Sequence, residues 1–133
     1  MDILILDDNA DRHRFFREYY QWDKVVHCYT YDDFVAHLSD NIWDLIHLDH
    51  DLGDFQDNAS TYVDGWGKEQ NYNGYHATRR ILELPADQYP KQVIIQSVNP
   101  EGAMYMLQDL RRAGIPTTWE PYGDVAWGVP DHE

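Results

Sequence analysis

Two kinds of hydrophobic pattern alternate along this chain. Short unbroken apolar runs, closed by acids or turn residues, are separated by stretches in which large apolar residues recur every three or four positions. The first run is "DILIL" at residues 2–6, ended by Asp7 and Asp8, and reads as a strand buried on both faces. "ADRHRFFREYYQW" follows, with Phe15, Phe16, Tyr19 and Trp22 at helical spacing. "KVVHCY" reads as a second strand. Thr30, three residues ahead of Asp33, is placed to cap a helix carrying Phe34, Val35, Leu38 and Ile42 on one face. "WDLIHLD" is a third strand. From Asp54 to Asn73 no period survives, which predicts a long loop insertion at about 54–73; loops of that length are often functional. Helical spacing resumes in "GYHATRRILEL" and ends before Pro85. "KQVIIQS" is a fourth strand. Asn99 and Pro100 form an N-cap and a first-turn proline for a helix reaching about Arg112 and stopping at Gly114. "IPTTW" is a fifth, weaker strand. The last dozen residues, with Gly123, Gly128 and Pro130, carry no helical period.

Strands alternating with helices predict one α/β domain over residues 1–133: a parallel five-stranded sheet with helices on both faces, the last helix missing. In such sheets ligands gather beyond the carboxyl ends of the strands, where the strand order reverses. The pattern delivers Asp7 and Asp8 to the end of the first strand, Asp49 and Asp51 to the end of the third, and Ser97 and Asn99 to the end of the fourth.

Charge narrows the partners. Acids outnumber bases 24 to 10, for a net charge of −14. Long nucleic acids bind through Lys and Arg on phosphates, so a DNA- or RNA-coating role is not expected. A small phosphorylated ligand is compatible if a divalent cation supplies the positive charge. The single cysteine, Cys28, has no partner for an internal disulfide and is expected in the core, which points to a reducing cytoplasm. No apolar run approaches the roughly 20 residues of a membrane span, and "MDILILDD" lacks the basic start of a signal peptide. Aromatics at 14% leave a homodimer open.

Carboxylates brought together at one rim repel one another and take up protons unless a cation intervenes. Mg²⁺ or Mn²⁺ prefers such oxygen donors. Asp7, Asp8 and Asp49 are the expected ligands, and Asp51 joins them only if the strand continues that far. His50, between two aspartates, is a candidate for proton transfer near neutral pH, whereas His47 is expected to be buried. The helix start after Asn99 favours an anion, with Ser97 as a further donor. Blander roles compete: Asp8 as a turn former, Ser97 and Asn99 as plain caps. The aromatics of residues 62–75 either close over a ligand or pin the loop.

These residues resemble the receiver domain of response regulators, in which paired acids after strand one bind Mg²⁺ and an aspartate after strand three accepts a phosphoryl group. A Ser or Thr follows strand four there, and a Lys follows strand five. Asp7, Asp8, Asp49 and Ser97 match, but "TWEPYG" places Glu120 where the Lys would stand. A closer resemblance is to the cyclic-phosphate processing receiver domain, whose members carry "LDD", "LDHDLG", a Gly-Tyr pair and "HSxNPxG" with a downstream Met. Here the chain reads "LDDNADR", "LDHDLG", "NGYH" and "QSVNPEGAMYM", matching at Asp7, Asp8, Asp49, His50, Asp51, Gly53, Gly74, Ser97, Asn99, Gly102 and Met106. The resemblance implies a receiver-like, flavodoxin-like fold and a divalent-metal-dependent phosphoesterase acting on a small cyclic phosphate or cyclic nucleotide. Asp7, Asp8 and Asp49 would hold Mg²⁺ or Mn²⁺, and Asp49, His50 and Asp51 would serve catalysis. Ser97, Asn99 and Gly102 would hold the phosphate. The family's His before Ser is Gln96 here, which cannot exchange a proton near pH 7. Two other readings follow: a module that binds a nucleotide without cleaving it, and a degenerate receiver that docks proteins.

Overall fold

The computed structural model describes residues 1–52 and 60–120. In chain order the elements are β1 (Asp2–Leu6), α1 (Ala10–Tyr19), β2 (Lys24–Cys28), α2 (Tyr31–Leu38) and β3 (Leu45–Asp49). A hairpin of β4 (Thr61–Val63) and β5 (Glu69–Asn71) follows, then α3 (Gly74–Leu82), β6 (Val93–Gln96), α4 (Pro100–Arg112) and β7 (Thr117–Trp119). Five strands form one sheet in the order β2-β1-β3-β6-β7, and every neighbouring pair is parallel. The chain winds outward in one direction from β1 to β2 and in the other from β3 through β6 to β7. The order therefore reverses between β1 and β3, and a crevice opens beyond their carboxyl ends.

Alternation along the strands sorts two cores. Leu4, Leu6, Ile46, Leu48, Val93 and Ile95 face α2, α3 and α4, where Phe34, Ile81, Met106 and Leu110 are fully buried. Ile3, Ile5 and Leu45 face α1 and meet Phe15, Phe16 and Tyr20. Each fully buried side chain of this size contributes about 1.5–3 kcal/mol, so Phe34→Ala would cost roughly 3–5 kcal/mol. The parity continues past the strand ends. Asp7 falls on the α1 side with Ile3 and Ile5, and Asp49 falls there with Leu45 and His47.

The helix starts are where the sequence places them. Thr30 accepts from the Asp33 N–H at 3.1 Å, and Asn99 accepts from the Gly102 N–H at 3.0 Å ahead of Pro100. The positive φ of Gly114, 89°, ends α4 as only glycine does readily. Ile42 departs from expectation: α2 stops at Leu38, so Ile42 is half exposed. Trp43 fills the core instead, its indole donating to the Leu38 carbonyl at 3.0 Å.

The stretch expected to be loop carries the β4–β5 hairpin. Its strands span three residues each, too short for a legible period. The turn is organised by Asp64, which accepts from the N–H groups of Trp66 and Lys68 and from the Gln70 amide. The hairpin is pinned from below by stacking of Tyr72 on Tyr31, with ring centres 4.0 Å apart and planes 7° apart. Tyr62 and His76 complete that cluster. Gly53 and the closing residues 121–133, expected to lack a helix, lie outside the described residues.

Candidate functional site

Asp7 and Asp8 leave β1, and Asp49 ends β3, on the two strands that flank the crevice. One carboxylate oxygen from each lies within 4.8 Å of the others. Asp7 and Asp49 are almost wholly buried, and Asp8 is partly so. Burial holds the Asp8 carboxyl above its ordinary range, and the charge of Asp7 adds to this; a hydrogen bond with Asp49 and the charge of Arg12 work against it.

The group that answers these charges is Arg12, which the pattern of strands and helices did not single out. Asn9 caps α1 through the Arg12 N–H at 2.9 Å, which turns the Arg12 side chain back over the strand ends. Its Nε and Nη2 donate to the two oxygens of Asp7 at 2.6 and 2.9 Å, a bidentate pair. The same Nη2 lies 3.7 Å from Asp8 and 3.6 Å from Asp49. The available signal was the spacing Asp8 to Arg12, one helical turn apart.

The donor set fits a hard divalent cation. Metal–oxygen distances of about 2.1 Å in an octahedron put donors on Mg²⁺ roughly 3.0 Å apart when adjacent and roughly 4.2 Å when opposite, and the three oxygens lie within 4.8 Å of one another, so a small closure brings them onto one ion. Three carboxylates against one guanidinium leave a formal charge of −2, the charge such an ion cancels. A cation held there would address oxygens that Arg12 also approaches and would compete with it for them.

His50 turns to the other side of the rim, toward α3 and α4. Its Nδ1 donates to Asp51 at 2.9 Å, which leaves Nε2 for proton exchange. The strand ends at Asp49, so Asp51 does not join the acid cluster; it is exposed and orients the imidazole. Two glycines make room. A Cβ on Gly102 would lie 2.5 Å from the His50 ring, and one on Gly74 would lie 2.1 Å from the Asp49 carbonyl oxygen. The Gly74 N–H donates to the His50 carbonyl at 2.8 Å, fastening α3 to the end of β3. Ser97 is buried and accepts from the Asn99 N–H at 3.0 Å, while the Asn99 Oδ1 caps α4 through Gly102. Both residues therefore carry cap hydrogen bonds, and the Asn99 Nδ2 lies 3.5 Å from His50.

Behind the acids lie two buried histidines, His13 and His47, and the half-buried His27. The Nε2–H of His13 donates to the Asp7 carbonyl at 2.8 Å, so its Nδ1 accepts from the Nδ1–H of His27 at 2.6 Å. Desolvation lowers the pKa of both, His27 to about 4. His47 is buried as expected, bonds Tyr20 through Nε2 at 2.7 Å, and is lowered by burial to about 3. Gln96 pairs with Asp49 in register and is wholly buried. Its amide lies close enough to His47 to raise that pKa slightly against burial. Yet neither amide atom, nor His47 Nδ1, has a partner of hydrogen-bonding geometry among the described residues. Cys28 is buried, and its thiol is pushed up to about 12 by burial.

A parallel sheet of order 2-1-3-4-5 with paired acids after its first strand defines a receiver-type α/β domain. Solved structures agree on the fold. The chain is similar to the signal receiver domain of a protein described as a Luxo repressor from Vibrio parahaemolyticus, with TM-score 0.62 and 16% identity over 95% of this chain and 80% of that one. It is also similar to the signal receiver domain of a DNA binding response regulator (merR) from Colwellia psychrerythraea 34H, with TM-score 0.58 and 16% identity over 92% of this chain and 86% of that one. A third likeness is to NtrX from Brucella abortus, solved in complex with ADP, with TM-score 0.59 and 19% identity over 94% of this chain but 24% of that one. No curated protein matches the sequence. The family profile described as Cyclic-phosphate processing Receiver domain matches residues 2–112, and the chain belongs to that family. No helix among the described residues is long and apolar enough to cross a membrane.

Proposed function

We propose that this domain is a divalent-metal-dependent phosphoesterase that opens a small cyclic phosphate or cyclic nucleotide. The observation that carries the reading is the meeting of Asp7, Asp8 and Asp49 within 4.8 Å, beside His50 and the start of α4. Asp7, Asp8 and Asp49 would hold Mg²⁺ or Mn²⁺, which would supply Lewis acidity and lower the pKa of a water. The chain's own groups do the rest. The start of α4, with Ser97, Asn99 and Gly102, faces the phosphate and favours its charge. Asp49 orients the attacking water and takes up its proton. One phosphorus–oxygen ester bond breaks, and His50 Nε2 delivers a proton to the leaving alkoxide, giving a phosphomonoester. Asp51 holds the ring in place through Nδ1.

Gln96 favours a second reading, binding without cleavage, because an amide stands where the family carries an imidazole. Incubation with Mg²⁺ or Mn²⁺ and a panel of 2′,3′-cyclic nucleotides and cyclic oligonucleotides separates the two. Turnover above an Asp49→Asn control supports the enzyme. Tight binding with recovery of intact ligand supports the sequestering module and refutes the enzyme.

A further inference from the structure

Beside His50 lies a cleft of about 390 Å³ lined by His50, Asn73, Tyr75, Gly102 and Tyr105. Its volume falls in the range of roughly 300–1,000 Å³ found for small-molecule sites, and its lining is mostly apolar, as theirs is. The walls are the first turns of α3 and α4, and His50 joins the cleft to the proposed phosphate site. We infer that this cleft is the base subsite: it takes the purine or pyrimidine of a nucleotide whose cyclic phosphate sits at His50. The inference rests on the phosphoesterase reading for the direction of the phosphate and narrows its substrate class to nucleotides.

Three features carry it. First, the tyrosines of this region divide into two sets. Tyr72 stacks on Tyr31 and leans at an angle on Tyr62, and His76 meets all three rings edge-on, which accounts for them as the support of the hairpin. Tyr75 and Tyr105 stack on no aromatic side chain among the described residues, and Tyr105 is 58% exposed. Second, the cleft is set in advance. The Tyr75 hydroxyl donates to Asp109 on α4 at 2.9 Å, bracing one wall against the other helix, so little freedom is lost when a ring enters. Third, one edge is polar in the sense a base needs. Asn73 spends its Oδ1 capping α3 through the N–H groups of Tyr75 and His76. Its Nδ2 donors therefore remain for a ring nitrogen or carbonyl oxygen on a base edge. Stacking on a tyrosine face accepts any base, so the cleft selects a base over no base more strongly than one base over another.

The test compares ligands that differ only in parts. With Mg²⁺ present, calorimetry is run with adenosine 2′,3′-cyclic phosphate and with glycerol 1,2-cyclic phosphate, which has no base. The nucleotide is expected to bind on the order of ten-fold tighter or more. Tyr105→Ala is expected to abolish that ratio, and Tyr105→Phe to keep it. Equal binding of the two ligands, or a ratio untouched by Tyr105→Ala, overturns the base subsite. Adenosine alone, titrated without metal and followed by NMR at Tyr75, Gly102 and Tyr105, separates this inference from the reading beneath it. Shifts at those residues without cleavage of any cyclic phosphate uphold the base subsite and refute the phosphoesterase. Cleavage of both cyclic phosphates at one rate, with no adenosine shifts, does the reverse.

Discussion

Replacing Arg12 with Met isolates the competition at the heart of the site. The side chain keeps an unbranched apolar stem but loses two donors to Asp7, at 2.6 and 2.9 Å, and its approach to Asp8 and Asp49. Asp7 is wholly buried, so its carboxylate is left without that cation in a poor solvent for charge. Removing one partner of a buried pair costs about 3–5 kcal/mol. Arg12 is 20% exposed, and some water reaches the pair, which sets the expected loss near the lower end, about 3 kcal/mol. For a domain of this size that is a fall in Tm of roughly 10 °C. Arg12→Lys keeps the charge but not the fork, and is expected to fall between the two. Saturating Mg²⁺ is expected to raise the Tm of Arg12→Met by more than it raises that of the unaltered chain, because the ion no longer displaces a guanidinium. Thermal unfolding with and without Mg²⁺ reads both effects. Equal Mg²⁺ increments in the two proteins would refute the competition, and a loss below about 1 kcal/mol would refute the burial argument.

The two close glycines should fail differently. Gly74→Ala drives a Cβ into backbone at Asp49, so it should lower stability by about 1–3 kcal/mol and weaken Mg²⁺ uptake, read by urea unfolding and calorimetry. Gly102→Ala meets first the movable His50 ring; it should spare the fold and cut turnover of a cyclic nucleotide by about a hundred-fold, the lower end of one acid–base group's contribution. On pH, His13, His27 and His47 have folded pKa values below the ordinary 6.5, chiefly through burial. Above that pH they are neutral in both states; as pH falls from about 6.5 toward about 4 the unfolded chain gains protons first, so stability is lost. His47 alone should cost about 2 kcal/mol between pH 7 and pH 5, while the raised Asp8 works in the opposite sense; urea midpoints at the two pH values, with and without His47→Leu, check the slope. Gln96→Met removes two buried amide atoms that have no partner of hydrogen-bonding geometry among the described residues and should stabilise the protein by about 1 kcal/mol or more; a loss in its urea midpoint would show that the amide is satisfied in solution.

Much of this arrangement was legible because strand ends are legible. Asp7, Asp8 and Asp49 stood at the close of apolar runs, and parallel topology carried them to one rim. Asn99–Pro100 and Gly114 marked both ends of α4 to the residue, since each position has a steric or hydrogen-bonding reason. Less could be read where contacts cross elements. Arg12 looks like any exposed helical arginine until the Asn9 cap aims it at Asp7. Tyr62, Tyr72 and Tyr75 are alike in sequence, and only their neighbours separate support from an open wall. The hairpin escaped because strands of three residues carry no period, though Asp64, Gly65 and Gly67 are turn residues.

The placement of the cation bears on what the domain does with a ligand. A receiver meets its strand-three aspartate with a Lys from the end of strand five, so events at the acid reach the far edge of the sheet. Here β7 ends at Trp119 and an exposed Glu120, whose N–H simply extends the ladder to Ile95 at 2.8 Å. The positive charge comes instead from Arg12, five residues beyond Asp7 on the adjoining helix. The formal charge of −2 at the acids favours a divalent cation over an anion. On the proposed function, this electrostatic arrangement predicts metal first and phosphate second, because a phosphate arriving alone would meet net negative charge.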